Sequence, residues 1–130
     1  MEDTFYVVSE DLHNQLVGRV FEDRGFDREE ATAVAEFAAF ATRHGVRTHN
    51  ALKALHLDEL FGSAVGGCKP RAQVEIKESR FDACQTWNAN LKVGQAIACD
   101  AIEACIEMAD KHGSGTVIVD NAFHYLWGGG

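Results

Sequence analysis

Residues 81–119 read FDACQTWNANLKVGQAIACDAIEACIEMADKHGSGTVIV, and their order decides the fold. The first seven can form a strand. From Leu91 to Ala109 the residues Val93, Ile97, Ala98, Ala101, Ile102, Cys105, Ile106 and Ala109 recur at helical spacing, a wide apolar stripe on a long helix. Lys111 and His112 place cations at its last turn, and Gly113 can take the left-handed position that ends a helix. Thr116 to Val119 is a nearly unbroken apolar run, which predicts a strand buried on both faces. Strand, helix and strand in this span make a crossover, so the two strands are expected to be parallel and joined right-handed.

Upstream, Ala72, Val74 and Ile76 alternate with Gln73, Glu75 and Lys77, which predicts a further strand in a hairpin with the one at 81–87. Before that the chain reads as helical. Ser9 precedes Leu12, Leu16, Val17, Val20 and Phe21, a capped amphipathic helix ending at Gly25. Asp27 and Glu30 have capping-box spacing for a second helix, which carries Ala31, Val34, Ala35, Phe37, Ala38 and Ala41 and stops at Arg43, His44 and Gly45. Ala51, Leu52, Leu55, Leu57, Leu60 and Phe61 support a third helix, broken by Gly62, Gly66, Gly67 and Pro70. The expected class is α/β: N-terminal helices over 1–62, then part of a mixed sheet over 63–130, in one segment without repeat or linker. Three strands leave sheet edges open, so a further segment or partner chain is expected to complete the fold.

Composition narrows the function. Of 130 residues 46% are hydrophobic and one is proline, which argues against disorder. Twelve Lys and Arg against twenty Asp and Glu give a formal net charge of −8, which repels phosphate backbones and anionic membranes, so neither is an expected partner. No apolar run approaches the roughly 18 residues that span a bilayer, and a cytoplasmic protein is expected. Cys68, Cys84, Cys99 and Cys105 have no metal-ligand spacing, and no metal is expected. Cys99 and Cys105 fall on the long helix as ordinary buried thiols.

Two histidines stand out. His49 lies in residues 41–50, ATRHGVRTHN, and His124 in residues 119–130, VDNAFHYLWGGG, each in an irregular segment. An imidazole titrates at about 6.5 when unperturbed, so both are candidates for proton transfer near neutral pH.

Gly45-Val-Arg-Thr-His49, Gly94-Gln95 opening an alanine-rich helix, Gly113-x-Gly115, and Asn121-x-x-His124 before a glycine cluster resemble, in that order, the N-terminal part of the malate/L-lactate dehydrogenase family. These are non-Rossmann NAD(P)-dependent oxidoreductases. The stretch from His124 to Gly129 is most similar to the 2,3-diketo-L-gulonate reductase branch. The resemblance implies an oxidoreductase acting on a small 2-hydroxy or 2-keto acid, with His49 and His124 as its active-site histidines. It also implies substrate-side roles for Thr48, in place of the family serine, for Asn121, and for Lys53, in place of an arginine that holds the carboxylate. NAD or NADP is the implied cofactor, and the residues that grip it are expected beyond Gly130. A complementary C-terminal chain or segment and an oligomer are the expected partners.

Three positions depart from the family pattern. Asn50 replaces a glycine where positive φ or close approach is expected. Lys53 offers a point charge instead of a bidentate fork. Asn88 stands where aspartate is usual. The alternatives are a non-catalytic dimerisation or interaction module derived from the fold, or one chain of a cleaved precursor.

Overall fold

The computed structural model describes Thr4 and residues 6–123. Helices α1 (Glu10–Asp23), α2 (Arg28–Arg43) and α3 (Ala51–Phe61) come first, with a 3-10 turn at Arg47–His49 before α3 and another at Ser63–Val65 after it. Strands β1 (Glu75–Lys77) and β2 (Cys84–Asn88), helix α4 (Gly94–His112) and strand β3 (Thr116–Asp120) follow. The sheet runs β1-β2-β3, with β1 antiparallel and β3 parallel to β2. This is the mixed α/β arrangement read from residues 81–119.

The caps behave as their sequence dictates. Ser9 Oγ accepts from the Leu12 amide at 3.2 Å, and Asp27 and Glu30 close a reciprocal capping box. Val17 and Phe21 of α1 bury against Ala31, Val34 and Ala35 of α2, with Phe26 set edge-on to Phe21 at 5.2 Å. The small alanines let the two helices approach closely, and Ala54 of α3, Cys68, Val93 and Ala96 complete this cluster. A second cluster, built on Trp87, Ala89 and Ile97 with Val117 and Val119, fills the space between sheet and α4.

Glu30, fully buried, joins the two halves. Beyond its capping role, its carboxylate accepts from the Arg71 amide at 2.9 Å and from Lys92 Nζ at 2.9 Å. Thus the first turn of α2 holds both the chain leading to β1 and the loop that opens α4.

Several expectations are corrected. Strand β3 is not buried on both faces: its residues alternate, and Ile118 is 53% exposed because α4 covers one side of the sheet only. The apolar stripe of α4 is wider than the surface it packs on, which leaves Ile102 and Ile106 uncovered. That helix begins at Gly94 rather than Leu91, since Asn90 and Leu91 take left-handed φ values of 50° and 67°. Cys99 is exposed and Cys105 half-buried, whereas Cys68 is the thiol in the core. The first strand is shorter than its alternation, because Ala72 lies in a turn bonded to Lys69.

Candidate active site

The chain leaves α2 in a turn set by Gly45, whose φ of 70° few other residues adopt without strain. There the amides of His44, Gly45 and Val46 bond the carbonyls of Phe40, Thr42 and Ala41, so the helix end is satisfied. The Arg47–His49 turn follows, and Asn50 then caps α3 through its Oδ1 on the Lys53 amide at 3.1 Å.

His49 sits half-buried on this turn, with Nδ1 2.9 Å from Thr48 Oγ1. That contact orients the ring and leaves Nε2 without a partner among the described residues. Lys53 projects from the first turn of α3, exposed and forming no ion pair among the described residues. The concern over Asn50 is corrected: its φ is −76°, an ordinary N-cap conformation, so this position needs no glycine in this chain.

Directly after β3, Asn121 has a left-handed φ of 56°, and its Nδ2 donates to Asn88 Oδ1 at 3.1 Å. Asn88 in turn receives the Asn90 amide, and the Asn121 carbonyl receives the Leu91 amide at 2.8 Å. Asn88 also donates from Nδ2 to Asn90 Oδ1 at 2.9 Å, so it is a two-way hydrogen-bonding post, and an ionised aspartate, an acceptor only, would lose that donated bond.

His124 lies outside the described residues. The residue before it is firmly placed: the Phe123 amide donates to the Lys92 carbonyl at 3.0 Å, and its carbonyl accepts from the Gly94 amide at 2.6 Å. Phe123, Ala51 and Leu55 all pack against the same buried cluster. The helix that follows the His49 turn and the residue that leads to His124 thus pack on one buried cluster, and Phe123 follows β3 at the carboxyl end of the parallel pair, where open α/β sheets bind ligands.

Beside His49 lies a cleft of about 350 Å³ lined by Thr42, Gly45, Val46, Arg47 and Asn50. Arg47 was not singled out from the sequence, although it stands two residues before His49; only the cleft shows it beside the candidate site. Among the described residues no group of His, Cys, Asp and Glu is placed to hold a metal. Cys68 is no nucleophile, because burial, with Asp58 and Glu30 nearby, pushes its thiol up to about 12.

This fold and this pair of loops define the class. The chain belongs to the malate/L-lactate dehydrogenase family, whose pattern matches residues 8–129. A 2,3-diketo-L-gulonate reductase from Escherichia coli O1:K1 is 32% identical over 111 residues, which cover 85% of this chain and 32% of that protein. Among solved structures, malate dehydrogenase from Pyrococcus horikoshii OT3 superposes with a TM-score of 0.84 at 23% identity, over 97% of this chain and 37% of that one. Sulfolactate dehydrogenase from Methanocaldococcus jannaschii gives 0.84 at 24% identity, over 95% and 35% respectively. The chain spans about a third of the length of these relatives.

The helix starts of the described residues offer no ready cradle for the pyrophosphate of the nicotinamide cofactor that the family implies. Helices α1, α2 and α3 start with side-chain caps from Ser9, Asp27 and Asn50, and the Gly94 amide at the start of α4 is held by Phe123. Among the described residues no glycine-rich turn opens a helix onto a pyrophosphate.

Proposed function

We propose that this chain is the N-terminal segment of an NAD(P)-dependent oxidoreductase acting on a small 2-hydroxy or 2-keto acid. The observation that supports this reading is that Ala51, two residues past His49, and Phe123, the residue before His124, pack against the same buried cluster. In this reading His49 and His124 exchange protons with the substrate oxygen, and Thr48, Lys53 and Asn121 stand on the substrate side. The cofactor grip belongs to residues outside this chain, and the setting is cytoplasmic; among the described residues no helix is long and apolar enough to cross a membrane. The test is reduction of a panel of 2-keto acids by the whole enzyme, followed at the nicotinamide absorbance. Turnover with NADH or NADPH is expected, and none with either cofactor across the panel overturns the reading.

One observation favours a second reading, an interaction module without chemistry. Ile102 and Ile106 lie adjacent on α4 and are 61% and 64% exposed, a surface suited to a partner chain or second copy. Light scattering separates the two roles when joined to the turnover assay, because a module assembles and does not turn over.

A further inference from the structure

Gln95, on the first turn of α4, is 3% exposed, and its Oε1 is enclosed with no hydrogen-bond partner among the described residues. Protein interiors rarely keep an acceptor unpaired, and one that persists marks a place for a donor from outside the chain, water or ligand.

Its position says which donor. Gln95 follows Gly94, whose amide bonds the Phe123 carbonyl at 2.6 Å, so it stands at the junction that fixes the residue before His124. Side chains on a helix slant toward its N-terminus, which leans Gln95 back toward that junction. Val93 at the N-cap supplies no side-chain cap, and the amides of Gln95 and Ala96 have no acceptor among the described residues. Within one side chain's length there are thus an unpaired acceptor and unpaired donors, at the positive end of a 19-residue helix. An ammonium is repelled by that end, and a carboxylate or keto oxygen has no proton to give Oε1. A hydroxyl suits both, because it donates to Oε1 and accepts from an amide.

We propose that Gln95 is a specificity-determining residue that reads a hydroxyl of the substrate, separate from the 2-oxygen on which His49 and His124 act. Its Oε1 accepts the hydroxyl proton, and the Gln95 or Ala96 amide donates to the hydroxyl oxygen. The substrate class is then a 2-keto or 2-hydroxy acid with a further hydroxyl, glycerate being the smallest on the 2-hydroxy side, and not an acid with a bare alkyl tail.

This inference rests on the oxidoreductase reading for the acid, and its test does not depend on turnover. Glycerate and lactate, which differ by one hydroxyl, are titrated calorimetrically into the whole enzyme with NADH or NADPH present, with which neither reduced acid reacts. Glycerate is expected to bind about 10-fold or more tightly, because lactate leaves the buried acceptor unpaired. Gln95→Met keeps the volume and replaces the orphan acceptor by apolar atoms, so native circular dichroism and an unchanged or higher Tm are expected, with the preference cut to a few-fold or less. In turnover the same variant raises KM for hydroxypyruvate and leaves that for pyruvate unchanged, a split that a structural role alone does not produce.

Equal wild-type affinity for the two acids overturns the assignment whatever the variant does, and leaves an ordered water as the donor. A preference that survives in Gln95→Met also overturns it, as does wild-type protein that binds neither acid at millimolar concentration. If hydroxypyruvate and pyruvate are reduced equally well, the oxidoreductase reading stands and this inference falls. If glycerate binding follows Gln95 yet no 2-keto acid is reduced, the inference stands and that reading falls.

Discussion

Lys92 Nζ stands 2.9 Å from Glu30 Oε1, a contact spanning 62 residues of chain that fastens the start of α2 to the loop entering α4. Glu30 is fully buried and Lys92 nearly so, and the remaining lone pairs of the carboxylate take the Arg71 and Asp27 amides. Removing one member strands a charge in a region of low polarity. Glu30→Ala is expected to cost about 3–5 kcal/mol of stability, and Glu30→Met paired with Lys92→Met clearly less. Urea unfolding of the three proteins checks this; equal losses in the single and double variants would refute the coupling.

His49→Ala is expected to lower kcat/KM for a 2-keto acid by about 100-fold or more in the whole enzyme, the range for a lost positioned acid or base. Thr48→Val removes the hydroxyl that orients the ring at Nδ1 and should give a smaller loss. Wild-type rates in the His49 variant would remove the residue from the mechanism.

Cys68 titrates at about 12 in the fold against 9.0 for an ordinary thiol, with burial as the main cause and Asp58 and Glu30 adding to it. Below about pH 9 the thiol is protonated in both states and has no effect on stability differences with pH. Between about 9 and 12 the unfolded chain releases this proton while the folded one retains it, so stability falls as pH rises. Urea midpoints measured across that window should drop more steeply for the wild type than for Cys68→Ala. The same burial should leave Cys68 unlabelled by iodoacetamide at pH 8 in folded protein while exposed Cys99 reacts.

Gly115 has no room for a side chain: a Cβ there would run into the Cys105 carbonyl of α4. Because that obstacle is backbone, Gly115→Ala should cost about 1–3 kcal/mol as the α4–β3 connection shifts. Gly113, at φ 81° with open space around it, should cost only about 1 kcal/mol on replacement by alanine. Thermal unfolding of the two variants distinguishes close approach from backbone conformation as the reason for each glycine.

What the sequence determined by itself was local. Ser9, the Asp27 and Glu30 box, Gly45 and Gly113 sit where short-range hydrogen bonding and φ limits place helix ends, and those forces act within a few residues of chain. Apolar spacing likewise marked the helices and the parallel pair β2 and β3, and the quoted motifs carried the family. Tertiary structure decided the rest, because it depends on residues far apart in sequence meeting. Periodicity showed that α4 has a wide apolar stripe, yet only packing told which part is covered, leaving Ile102 and Ile106 outside. The double duty of Glu30, the post that Asn88 makes for Asn121, and the cleft that sets Arg47 beside Asn50 are likewise invisible one residue at a time. A charge or amide acquires its meaning from the groups that surround it, and only the folded chain supplies them.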